Sequence, residues 1–220
     1  MKVNSIQDNE IKNIVIVGAG GFGREVLQWI KDINKKRQTY NILGFIDDNL
    51  QALEDYQCDY NILGTIEGWE PSSKEAFVMA IASPLIKQRI SSLLKKKGAS
   101  FISIMHPTAI VGDFVKLGEG VVLYPNTIIT TNVRIGDFVT VLSSNIGHDV
   151  SIGDYSTISS FCDITGGVIV GKKVFLGSHS TIVPKKHIGD NAYIGAGSVV
   201  ISNIKKNIKV FGNPARKLNV

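Results

Sequence analysis

The sequence predicts an α/β unit over residues 1–106 followed by an all-β parallel helix over residues 107–220. Three observations carry that expectation. Short apolar runs that end in glycine alternate with stretches of helical spacing in the first half. From Val111 onward an aliphatic residue recurs every six positions. Glycine often stands directly after that residue, as a coil with tight corners requires.

In the first half, Ile14-Val15-Ile16-Val17 is an apolar run closed by glycines, the pattern of a buried parallel strand. Arg24 to Lys36 carries Val26, Leu27, Ile30 and Ile33 at helical spacing. Ile42 to Ile46 predicts a second strand, stopped by Asp47-Asp48-Asn49, and Phe77 to Ala82 a third, stopped by Ser83-Pro84. Leu85 to Lys97 predicts a helix with Ile86, Ile90, Leu93 and Leu94 on one face and Gly98 as its stop signal. Phe101 to Met105 predicts a fourth strand. Between the first strand and helix, Gly18-Ala19-Gly20-Gly21-Phe22-Gly23 satisfies G-x-G-x-x-G, whose amides and helix N-terminus suit a diphosphate. Asp47 sits where an acid would meet a ribose. The chain ahead of the repeat suffices for roughly half of a Rossmann fold.

In the second half, Val111, Leu117, Leu123, Ile129, Ile135 and Val141 are each six apart. The series resumes at Ile146 and continues through Ile152, Ile158, Ile164, Val170, Leu176, Ile182, Ile188, Ile194 and Val200. Each hexad makes one short strand and one turn, and the aliphatic residue stacks on its equivalents in neighbouring coils. The interval from Val141 to Ile146 is one residue short. Ser143-Ser144-Asn145-Ile146-Gly147-His148 spans that slip, and such irregularities re-aim side chains. Spacing alone leaves His148 open between a residue aimed at a ligand and a surface histidine beside an insignificant deletion.

Other classes fit poorly. No apolar run approaches the ~18 residues of a membrane span, and Asp8, Asn9 and Glu10 interrupt any signal-peptide pattern; a cytoplasmic protein is expected. The net charge of +5 is mild, and no basic stretch is interleaved with aromatics, which argues against nucleic acid. Cys58 and Cys162 have neither metal-ligand nor redox spacing, and His106, His179 and His187 show no metal pattern.

The chain resembles the left-handed β-helix hexapeptide acyltransferases, specifically their sugar O- and N-acetyltransferase branch of the sialic acid O-acetyltransferase and bacillosamine-pathway type. Six segments carry the resemblance. They are Gly18-Ala19-Gly20-Gly21-Phe22-Gly23-Arg24-Glu25-Val26, Gly44-Phe45-Ile46-Asp47-Asp48, Ala80-Ile81-Ala82-Ser83, His106-Pro107-Thr108-Ala109, Gly147-His148-Asp149 and Phe211-Gly212-Asn213-Pro214-Ala215-Arg216. The resemblance implies a half-Rossmann-like N-terminal domain, a left-handed prism, a homotrimer and acetyl-CoA lying between adjacent prisms. It implies His148 as general base with Asp149 orienting it, and a Gly166 amide at the developing oxyanion. It places Ser178 and Ala196 against CoA, and Thr157 where relatives carry a second histidine that reaches the thioester carbonyl. It implies that Gly20, Gly21, Phe22, Asp47, Asp48, Ala82 and Ser83 hold a nucleotide-linked sugar. Phe22 replaces a common histidine, Ala82 a glycine and Ser83 an Asn or Asp, so the base is not fixed by these residues.

The expected activity is therefore acetyl-CoA-dependent N-acetylation of a nucleotide-linked 4-amino-4,6-dideoxy sugar, with UDP as the expected nucleotide, in surface glycan synthesis and without a metal. O-acetylation of a sugar such as sialic acid is the alternative. A non-catalytic scaffold trimer is disfavoured by the intact His148-Asp149 pair. An NAD-dependent enzyme is disfavoured by the missing second Rossmann half.

Overall fold

The structure, a computed structural model, describes residues 11–218; the segment with Asp8, Asn9 and Glu10 lies outside them. Strand β1 (Lys12–Val17), helix α1 (Gly21–Lys36), β2 (Tyr40–Ile46), β3 (Ile62–Gly64), β4 (Glu75–Met79), helix α2 (Pro84–Lys96) and β5 (Ser100–Phe101) form the first unit. The strands make one parallel sheet in the order β3-β2-β1-β4-β5. Ile14 to Val17 are fully buried, as a central parallel strand requires. β1 passes into α1 through a turn that is crowded at Gly18 and Gly23 and open at Gly20 and Gly21. A Cβ on Gly23 would lie 2.0 Å from the Gly18 carbonyl oxygen, so the helix approaches the strand this closely only because residue 23 is glycine.

The predicted fourth strand divides. β5 closes the first sheet, whereas β6 (Ile104–Met105) pairs with β9 (Val122–Leu123) in the second unit. The coil thus begins just ahead of the expected boundary at residues 106–107. It continues through sixteen two-residue strands, from β7 (Ile110–Val111) to β22 (Val199–Val200), and each ends on the aliphatic residue of its hexad. β23 (Lys209–Phe211) and the antiparallel β24 (Arg216–Lys217) finish it. The strands stack into three parallel sheets, the faces of a triangular prism. Face one holds β6, β9, Thr140–Val141, Thr157–Ile158, Phe175–Leu176, Tyr193–Ile194 and the two closing strands; face two starts at β7 and face three at β8 (Lys116–Leu117). The chain runs from face one to two to three in each coil. The aliphatic ladder from Leu123 to Val200 fills the interior.

The one-residue slip is real, but it is not at His148. The short corner is Leu142-Ser143-Ser144, between faces one and two. Ser143 takes a positive φ of 36°, and buried Ser144 bonds the Leu142 and Ser159 carbonyls and receives the Cys162 N–H. His148 lies on the next corner, which has ordinary length. Its outward aim therefore follows from the regular turn, and the slip plays no part in the choice that spacing left open.

The first unit sits on face one. Trp29 and Tyr124 rings lie 3.5 Å apart between centroids, and the Tyr124 hydroxyl donates to Glu25 Oε2 at 2.8 Å. Burial and the Glu25 carboxylate push the Tyr124 phenol well above its ordinary range. Phe101 meets Phe138 edge-on, and Phe138 stacks on Tyr155. Helix α2 buries Lys87, Ile90, Ser91 and Leu94, an i, i+3, i+4, i+7 face, and leaves Ile86 exposed. This rotates the expected face by one residue and puts a lysine in the interface.

Candidate active site

His148 occupies the turn between Asn145–Ile146 and Ser151–Ile152, on the corner joining faces two and three. Two-thirds of its side chain is exposed (66%). Asp149 follows at φ 60°, a left-handed position that Asp tolerates in turns. Its Oδ2 lies 2.7 Å from His148 Nδ1, and its Oδ1 accepts from Asn132 Nδ2 at 2.6 Å. Hydrogen bonds from His148 and then Asn132 hold the Asp149 carboxyl below the usual carboxylate range. A carboxylate at Nδ1 favours the proton there, which leaves the Nε2 lone pair as the acceptor.

One coil further, Gly166 takes the turn position equivalent to His148. A Cβ there would stand 2.5 Å from both Cε1 and Nε2 of His148. The imidazole therefore lies across Gly166, and only glycine leaves it room. The Gly166 carbonyl accepts from Lys185 N–H, and its own N–H has no acceptor among the described residues. An exposed imidazole with an open basic nitrogen thus stands beside an uncommitted backbone donor, the two groups that acyl transfer needs.

The remaining expected residues fall into separate places. Ser178 and Ala196 stack one coil apart on the corner between faces one and two, where Gly197 N–H donates to the Ser178 carbonyl at 2.9 Å. Thr157 lies on face one and is 1% exposed. Its hydroxyl donates to the Ala82 carbonyl at 2.7 Å and accepts from Lys87 Nζ at 3.0 Å. The expected contact between that hydroxyl and a thioester is thereby corrected, because the hydroxyl is buried and already committed. Sequence gave no sign of this, since Thr157 falls at an ordinary outward position of its hexad.

Around the first unit, Gly20 and Gly21 are exposed, and the first amides of α1 have no intrahelical acceptor and no side-chain cap. Asp47 closes this loop from the side: Oδ2 accepts from Ala19 N–H at 2.7 Å and Oδ1 from Asn49 N–H at 2.8 Å. Asp48 Oδ1 accepts from Ile66 N–H. Phe22 is half-buried against Trp29 and Tyr124, so its ring joins the interface instead of standing free in the loop. Ala82 and Ser83 lead into α2, and the Ser83 hydroxyl makes no capping bond. Arg24, which directly follows the glycine motif, lays its guanidinium 3.4 Å over the Tyr56 ring beside this loop. A cleft of about 460 Å³ opens between Ser83-Pro84 and face one, walled by the stacked rings of Phe175 and Tyr193 with Lys173 and Lys209 at its sides.

The geometry separates two groups within one chain. The first unit covers face one, and the corner that carries His148 is the one opposite that face. Among the described residues no group of three His, Cys, Asp or Glu side chains is placed to hold a metal ion, and no helix is long and apolar enough to cross a membrane.

Comparison with known proteins agrees with this architecture. Residues 13–94 match the family model of the PglD N-terminal domain. The chain is 34% identical over 215 residues to GDP-perosamine N-acetyltransferase of Escherichia coli O157:H7, covering 92% of this chain and 95% of that one. Among solved structures, PerB from Caulobacter crescentus in complex with CoA and GDP-perosamine superposes with a TM-score of 0.85 at 24% identity, over 96% of this chain and 99% of that one. The acetyltransferase domain of PglB from Neisseria gonorrhoeae also gives 0.85, at 23% identity over 94% and 100%.

Proposed function

The chain belongs to the sugar N-acetyltransferase branch of the left-handed β-helix hexapeptide acyltransferases, and from that premise we propose that it acetylates the amine of a GDP-linked 4-amino-4,6-dideoxy sugar with His148 as general base. Acetyl-CoA-dependent transfer to a nucleotide-linked amino sugar is the activity of the family. GDP replaces UDP as the preferred nucleotide because the Escherichia coli relative, similar along nearly its whole length, carries GDP in its name.

The single observation that carries the reading is the His148-Asp149-Gly166 arrangement. The acceptor must attack as a neutral amine. Its nitrogen bonds to the thioester carbonyl carbon while His148 Nε2 takes the proton that the nitrogen loses. Asp149 holds Nδ1–H and stabilises the imidazolium that results. The Gly166 N–H donates to the oxygen that becomes negative. The C–S bond then breaks, and the imidazolium proton goes to the departing thiolate. No covalent enzyme intermediate is required.

In this reading CoA follows the corner of Ser178 and Ala196. The sugar nucleotide is held by Gly20, Gly21, Asp47, Asp48 and the Ala82-Ser83 loop. Because His148 stands on the corner opposite face one, an acceptor on the first unit of one chain meets the imidazole of another. A closed homotrimer satisfies this with three equivalent interfaces, and its placing in the cytoplasm suits both substrates. The test measures thiol release from acetyl-CoA with GDP-, UDP- and dTDP-linked 4-amino sugars and with free sialic acid. Turnover on the GDP-linked amine above the others is expected. Preference for sialic acid would replace the reading with O-acetylation.

A further inference from the structure

Lys87 is fully buried (0% exposed), yet no carboxylate lies within ion-pairing distance of it among the described residues. Its ammonium instead reaches three neutral oxygens of face one: Thr157 Oγ1 at 3.0 Å, Thr140 Oγ1 at 3.1 Å and the Ser156 carbonyl at 3.3 Å. Burying such a charge without a counter-ion is costly, and apolar packing would fill the space at lower cost. The contacts that Lys87 makes suggest what the lysine is for.

Both sides of the contact end at the same loop. Thr157 Oγ1 accepts from Lys87 and passes its own hydrogen to the Ala82 carbonyl at 2.7 Å. The Lys87 backbone N–H bonds the Ser83 carbonyl at 2.9 Å. That second bond is the ordinary helical one that any residue here but proline would make, so the lysine side chain acts on the loop through the Thr157–Ala82 bond. The loop in turn abuts the glycine turn: a Cβ on Gly18 would stand 2.9 Å from the Ala80 oxygen and 3.1 Å from Ile81 Cγ1, and Ala80 N–H bonds the Val17 carbonyl. A shift of Ala82 would be felt at Gly18.

We propose that Lys87 is a positioning residue for the acceptor, which through Thr157 sets the Ala82-Ser83 loop and the glycine turn behind it at a fixed height on the prism. This rests on the reading that those two loops hold the sugar nucleotide. It is not a catalytic residue, because it is sealed from any substrate. Its role is to convert the docking of two units into a defined distance between bound amine and thioester, where small misplacements lower turnover strongly.

The test uses the full chain. Lys87→Met keeps the length of the side chain and removes the charge and its bonds. Expected are a melting temperature no lower than that of the unaltered protein, an acceptor kcat/KM at least about tenfold lower, and an acetyl-CoA KM within about twofold. Thr157→Val, which keeps Lys87 but cuts the bond to Ala82, gives the same split, and Thr157→Ser restores the acceptor KM. An acceptor kcat/KM within about twofold of the original in both Lys87→Met and Thr157→Val overturns the proposal. So does a loss shared equally by both substrates with a lowered melting temperature, which marks a general structural role. If the unaltered protein turns over none of the nucleotide-linked amines, the acceptor reading itself fails and the proposal falls with it.

Discussion

At the residue scale, the imidazole of His148 has what a base needs because of two neighbours in the same turn system. Asp149 fixes Nδ1, and Gly166 clears the space that the ring occupies. His148→Ala should lower kcat by at least ~10²-fold while CoA still binds, measured by thiol release and calorimetry; a rate near that of the unaltered protein removes His148 as base. Gly166→Ala tests the second neighbour. Its Cβ would collide with the ring, so turnover should fall by about tenfold or more with little change in melting temperature. Lys87 makes the opposite case, a charge held where water is absent. Burial pushes its ammonium down from 10.5 to about 7. Between those values the unfolded chain binds a proton that the folded one has released, so stability rises as pH rises from about 7 toward 10.5. The melting temperature of the unaltered protein should therefore gain more between those limits than that of Lys87→Met. Equal slopes in the two proteins would show that this lysine does not titrate so.

At the element scale, the hexad strands were fully legible because one physical requirement repeats. An inward aliphatic every six residues admits a single register, and each of the sixteen strands ends on the residue that the spacing marks. The α/β elements were legible as elements but less so in their faces. On α2 the sequence favours Ile86, yet the structure turns Lys87 inward because face one offers two threonine hydroxyls there and leaves Ile86 in solvent. No hydropathy pattern carries that information, since it depends on which hydroxyls of a distant repeat face the helix. The same limit applies to Thr157, whose spacing is ordinary and whose hydroxyl is claimed across the domain boundary. The glycine turn of β1 and α1 was legible, and the sequence marked Asp47 beside it as an acid for a ribose. Asp47 bonds two backbone amides from one carboxylate and so shapes the loop. Asp47→Ala should raise the acceptor KM by about tenfold, as charge-assisted bonds of this kind are lost, and leave that of acetyl-CoA alone. A larger effect on acetyl-CoA would show that the first unit serves the other substrate.

At the scale of the whole molecule, the arrangement of faces constrains where chemistry can happen. A triangular coil has one corner opposite each face, and the corner with His148 is opposite the face that the first unit covers. Ser178 and Ala196 stand on yet another corner. The cleft beside Ser83 does not include the imidazole of the same chain, as expected if neighbouring chains complete the catalytic cleft. The sequence shows the His148 turn and the glycine loop but gives no direct sign that they face apart, because hexad spacing fixes coils and not neighbours. Complementation tests the consequence. His148→Ala lacks the base on every prism, and Asp47→Ala lacks a shaped acceptor loop on every first unit. If each site takes one element from each of two chains, unfolding and refolding the two variants together yields mixed assemblies in which some sites combine an intact imidazole with an intact loop. Measured at an acceptor concentration well below the raised KM of Asp47→Ala, turnover should then rise well above the mean of the two separate variants, whereas mixing without unfolding leaves it at that mean. If both elements of a site came from one chain, every chain in the mixture would carry one lesion and co-refolding would restore nothing.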